Sequence, residues 1–130
     1  MSTTTRWTHL ERADARLLRR ALCWSMGEMI HQGPGGDSMV PGDTRGLGDF
    51  VSELEGKTAL LSCLTGIDAP GYVAHVPEDP DGLMAGVLRE YAQACPMLAD
   101  HYLDRGMDAA AGFYEADQAA ALGMADRVAP

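Results

Sequence analysis

A chain of 130 residues, 46% hydrophobic and 22% charged, has the size and balance of a single folded domain rather than a disordered tail or a multidomain protein. Its net charge of −9 argues against direct nucleic-acid binding, which draws on Lys and Arg to displace counterions from phosphate. No apolar run approaches the ~20 residues of a membrane span and the N-terminal stretch lacks the apolar core of a secretory leader, so the expectation is a soluble cytoplasmic protein.

Ala and Met are abundant and aromatic residues scarce, a mixture that favours packed helices over sheets. Residues 1–7 read as a flexible N-terminal stretch. A first helix is expected from about Thr8, where Thr8 and Glu11 have the spacing of a capping box, to about Gln32. Its wheel gathers Leu10, Ala13, Leu17, Leu18, Ala21, Leu22, Trp24 and Met29 on one side. Arg12, Arg16 and Arg19 line the other side at i, i+4, i+7, with Arg20 beside them. Charge is divided accordingly: residues 1–20 balance at +3, the remaining 110 at −12. This basic ridge on an acidic body is the expected docking surface for an acidic protein partner, an anionic lipid surface or a second copy.

Residues 33–43, "GPGGDSMVPGD", are a loop by composition. A second helix is expected from about Thr44 to Thr65, with Leu47, Phe50, Leu54, Leu61 and Leu64 as apolar positions and a break near "EGK" at Gly56. Residues 66–79 are expected to form a loop, because Pro70 and Pro77 forbid a continuous helix; "YVAHV" within it reads as a lone extended segment.

The third helix is the clearest. Asp79 can cap it, Pro80 suits its first position, and Met84, Leu88, Tyr91, Cys95, Leu98 and Tyr102 follow at steps of 4, 3, 4, 3 and 4, a heptad-like seam. Pro96 removes one backbone donor within it, which predicts a kink. "DRGMDA" then stops one helix at Gly106 and starts another with Asp108 as N-cap, the signature of an antiparallel helix hairpin. The fourth helix, to about Arg127, places Ala109, Phe113, Ala116, Ala120 and Gly123 on its expected packing seam. The fold class expected is therefore all-α, a small bundle of four to five helices with a C-terminal antiparallel hairpin and the first helix packed across it.

Motifs that carry chemistry are few. Glu28 and His31 stand at i and i+3, one half of the Glu-x-x-His pattern of carboxylate-bridged di-iron bundles. The second half is missing, so the pair reads as a helix end and no metal or other cofactor is expected. "GPGG" follows a helix and has no Lys, unlike a P-loop. Cys23, Cys63 and Cys95 form no CxxC pair; Cys95 lies on the core seam, away from His101, and reads as an inert thiol. Met97 and His101, at i and i+4, are a weak pattern for haem or copper ligation. Ser25, Ser38, Ser52 and Ser62 lack the context of an activated nucleophile. Elimination leaves a non-enzymatic interaction protein (an adaptor, inhibitor or accessory subunit) docking through Arg12, Arg16, Arg19 and Arg20. The rival readings are a ferritin-like metal-binding bundle enzyme using Glu28 and His31, an acidic nucleic-acid mimic that inhibits DNA-binding enzymes, and a small-molecule pocket built from Trp24, Met26, Met29, Tyr91 and Met97.

Overall fold

The computed structural model describes residues 7–33, 45–78 and 82–129. Four helices dominate them: α1 (Arg12–Gln32), α2 (Arg45–Ser62), α3 (Leu83–Leu103) and α4 (Asp108–Val128). A two-stranded antiparallel ribbon joins them, β1 (Trp7–Leu10) with β2 (Ala74–Pro77), in the register Trp7↔Pro77, Thr8↔Val76, His9↔His75, Leu10↔Ala74. The all-α bundle with a C-terminal hairpin is as expected, and the extended segment around His75 is a strand. Its partner is the surprise. Thr8 and Leu10 belong to β1, not to the first turn of a helix, so the capping box does not form. Glu11 takes the N-cap position without a side-chain cap bond.

The reason lies in Leu10. As the last residue of β1 it is buried against the core that Ala74 and Val76 of β2 also enter, and burying a leucine contributes about 1.5–3 kcal/mol. One cap hydrogen bond contributes only about 1 kcal/mol, so the extended conformation wins.

α1 buries Ala15, Leu17, Leu18, Ala21, Leu22 and Ser25 and lies against α2, α3 and α4. The loop expected at residues 33–43 falls outside the described residues except for Gly33, as do Asp79 and Pro80. α3 begins later than its expected caps, at Leu83, with Gly82 preceding it. It then runs through Pro96, which stands on the exposed side. α2 is one uninterrupted helix despite Gly48 and Gly56. The expected break at "EGK" is absent, because Lys57 is anchored in the interior and Gly56 lies 3.5 Å, measured from a Cβ built on it, from the Leu83 side chain at the start of α3. Turns occupy residues 63–71. There Gly66 is needed for space: a Cβ would stand 3.0 Å from the Tyr72 ring, whose hydroxyl donates to the Cys63 carbonyl.

The expected seam of α3 is the observed one, with Met84, Leu88, Tyr91 and Cys95 buried and Leu98 and Tyr102 partly buried. Between α3 and α4, Met107 N–H donates to Tyr102 O and Gly106 N–H to Leu103 O, both at 2.9 Å, with Gly106 at φ 72°. These two bonds and a left-handed glycine make a Schellman turn, which reverses the chain and lets α4 return along α3.

The face α4 uses is not the expected one. Ala109, Phe113, Ala116, Ala120 and Gly123 are all exposed, and the buried residues are Ala111, Asp117, Ala121, Met124 and Ala125. A helix so rich in Ala and Gly has little hydrophobic contrast to orient it. The face that turns inward carries Asp117, bound by partners on α1 and α3, together with the fully buried Ala121, Met124 and Ala125.

Candidate binding cleft

Two polar constellations stand out on the helices among the described residues. The first is the buried knot around Asp117. Arg20 donates from Nε to Asp117 Oδ2 at 2.9 Å and from Nη2 to Oδ1 at 2.7 Å, a bidentate, charge-assisted pair. Tyr91 donates its hydroxyl to Asp117 Oδ2 at 2.6 Å. The hydrogen bond to Asp117 raises the Arg20 guanidinium above its ordinary pKa. Burial, followed by the neighbouring carboxylate, pushes the Tyr91 phenol far above its own. Cys95 is buried beside this knot, and desolvation raises its thiol pKa, so it is a poor source of thiolate. Every oxygen of the Asp117 carboxylate is occupied, and the knot ties α1, α3 and α4 together rather than offering a surface for a ligand.

The second constellation is an open cleft of about 800 Å³ where α1, α2 and α3 meet. Helical periodicity builds it. From α1 come Trp24, Ser25, Glu28, Met29 and Gln32; from α2 Asp49, Phe50, Glu53 and Lys57; from α3 Glu90 and Met97. Spacings of three, four and seven residues, close to one or two helical turns, keep each set on one helix face.

At the floor of this cleft is Lys57, the chain's only lysine, its side chain 3% exposed. Its ammonium donates to Ser25 Oγ at 2.8 Å and to Met29 Sδ at 3.2 Å, and stands 3.7 Å from Glu53 Oε2. Two of these contacts are hydrogen bonds, and the third is a longer ion pair with Glu53. Lys57 thus ties α2 to Ser25 and Met29 of α1. Around this anchor the cleft wall is acidic. Glu28, Asp49, Glu53 and Glu90 against Lys57 leave three negative charges in excess. Trp24, Met29, Phe50 and Met97 supply apolar surface between them, with Met97 69% exposed.

The residues singled out in the sequence are distributed as follows. Trp24, Met29 and Met97 line the cleft, whereas Met26 and Tyr91 do not; Tyr91 stands behind Trp24, ring centres 6.1 Å apart. Glu28 faces the cleft and accepts from Gln32 Nε2 at 3.1 Å, while His31 is exposed in the last turn of α1. Among the described residues no three His, Cys, Asp or Glu side chains converge as a metal cage. His101 is exposed and meets Arg105. Cys23 is exposed and Cys63 partly so; Ser38 lies outside the described residues.

The arginine ridge is partly engaged within the chain. Arg16 and Arg19 both donate to Asp68 on the turn after α2, at 2.8–3.2 Å, and Arg20 is committed to Asp117. Arg12 is exposed. Sequence patterns do not bring Ser25, Lys57, Asp49, Glu53 and Glu90 together as one site. The only signal is the solitary lysine within an amphipathic helix. Compared with models of known families, with curated proteins and with solved structures, the chain matches none. No helix among the described residues is long and apolar enough to cross a membrane.

Proposed function

We propose that this is a non-enzymatic helical binding protein whose acidic cleft receives a basic segment of a protein partner. One observation carries the reading: a cleft of about 800 Å³ in which four carboxylates and one buried ammonium surround Trp24, Met29, Phe50 and Met97. Pockets of this size suit a few side chains of an inserted segment. The excess negative charge selects Arg or Lys, and Trp24 and Phe50 offer faces on which a cation can rest. The main part of Lys57 is to hold α1 against α2 through Ser25 and Met29.

The basic ridge of α1 supports a second reading. Arg16 and Arg19 share the single carboxylate of Asp68, so positive charge is left over there, with Arg12 exposed beside it. An acidic partner would then dock on α1 instead. Titration calorimetry with two synthetic peptides, one of Arg, Lys and Leu and one of Asp, Glu and Leu, separates the two. Cleft binding predicts heat with the basic peptide only, weakening with salt and lost in the triple variant Glu28→Gln, Glu53→Gln, Glu90→Gln. Binding of the acidic peptide, lost in Arg12→Ser, Arg16→Ser, Arg19→Ser, moves the function to the ridge. Equal binding of the basic peptide to wild type and the triple Gln variant overturns the cleft reading.

A further inference from the structure

We propose that His9 and His75 form a two-histidine site for a divalent transition-metal ion on the outer face of the β1–β2 ribbon. The site follows from register and alternation. In an antiparallel ribbon, residues directly opposite one another put their side chains on the same face, and His9 pairs with His75. Their neighbours Leu10, Ala74 and Val76 are buried, whereas both histidines are exposed. The two imidazoles thus stand side by side in solvent, on strands drawn from distant parts of the chain.

Their spacing fits one shared ion. With metal–nitrogen bonds of about 2.1 Å, two imidazoles meeting a tetrahedral ion put their ring centres about 5 Å apart. The observed separation is 5.5 Å, with the rings inclined at 60°. Imidazole pairs favour Zn²⁺, Ni²⁺ and above all Cu²⁺ over Mg²⁺ and Ca²⁺, which take oxygen ligands. No third protein ligand joins them among the described residues, so water completes the coordination sphere and the ion exchanges with solvent. An ion held by both strands clamps β1 onto β2. That clamp matters because a two-stranded ribbon is only marginally stable by itself, and a ligand that binds the folded form alone stabilises it. The site shares no residue with the acidic cleft and stands or falls independently of it.

The test is calorimetric titration of the full chain with ZnCl₂, and electron paramagnetic resonance of the chain with one equivalent of Cu²⁺. The expected result is one Zn²⁺ per chain, with binding lost in His9→Gln and in His75→Gln and retained in His31→Gln and His101→Gln. Far-UV circular dichroism checks that each variant is folded. The wild-type Cu²⁺ spectrum is expected to show coupling to two imidazole nitrogens, a readout that needs no variant. Absence of Zn²⁺ binding, coupling to fewer than two nitrogens, or binding that survives in the His9→Gln, His75→Gln double variant overturns the proposal.

Discussion

Arg19 and Arg20 are adjacent on α1 and their side chains are almost equally exposed, at 35% and 36%. Each binds an aspartate, yet the two contacts differ in kind. Asp68, held by Arg19 and Arg16, is 57% exposed, whereas Asp117, held by Arg20, is 7% exposed. The acid, not the arginine, sets the difference. Asp68 can exchange its guanidinium partners for water at little cost, as exposed ion pairs generally do. Asp117 has no such recourse, and its oxygens depend on Arg20 and Tyr91. One contact tethers a turn; the other ties α4 to α1 and, through Tyr91, to α3.

Removing the buried acid tests that difference most severely. Asp117→Ala strips Arg20 and Tyr91 of their acceptor and is expected to cost about 3 kcal/mol, the low end of the range for breaking a buried pair because Arg20 keeps some contact with water. Urea denaturation measures it. A loss below about 1 kcal/mol, the size expected of a surface pair, would erase the distinction between the two aspartates.

Tyr91→Phe is expected to cost less, about 1 kcal/mol for one hydrogen bond whose acceptor retains Arg20. It also carries a pH signature. The Tyr91 phenol is raised in the folded state by burial and then by Asp117, so its contribution is fully present below the unfolded tyrosine value of about 10 and is lost as pH rises beyond it. Stability measured from about pH 8 to about pH 11, the range that brackets that value, should therefore fall less steeply at the alkaline end in Tyr91→Phe than in the wild type. Parallel curves would show that the hydroxyl titrates as freely as an exposed one.

Asp68→Asn should have the smallest effect, a change in melting temperature within the scatter of surface substitutions and abolished by salt. Its sign with pH is opposite. Hydrogen bonds from Arg16, then Arg19, hold the Asp68 carboxyl below its ordinary range. Its contribution is thus present above the unfolded value of about 3.9 and lost as pH falls through the lower folded value. Wild type and variant should converge in acid. A large difference that persists there would place Asp68 with Asp117.

Legibility in the sequence follows contrast in chemistry. α3 alternates Met84, Leu88, Tyr91 and Cys95 with Arg89, Glu90 and Gln93, so its buried face can be read directly, and it is the face observed. α4 has runs of Ala broken by Gly, and on such a helix a seam drawn through small residues fits several rotations equally well. The seam through Ala116 and Ala120 leaves Asp117 outside, and Asp117 is inside. The cleft is half visible: Trp24, Met29 and Met97 can be recognised as a set, but the acids and Lys57 come from three helices whose mutual placement no local pattern records.

Local periodicity and turn chemistry therefore determined by themselves that the chain is helical, that α3 and α4 fold back at Gly106, and which side of α3 is apolar. These depend on residues within a few positions of one another. Tertiary structure alone decided the pairing of β1 with β2, the rotation of α4, the anchoring of Lys57 on Ser25 and the meeting of His9 with His75. Each of these joins residues from distant parts of the chain. The strand pairing and the rotation of α4 turn on partners that supply burial or a charge-assisted bond stronger than the local preference they override.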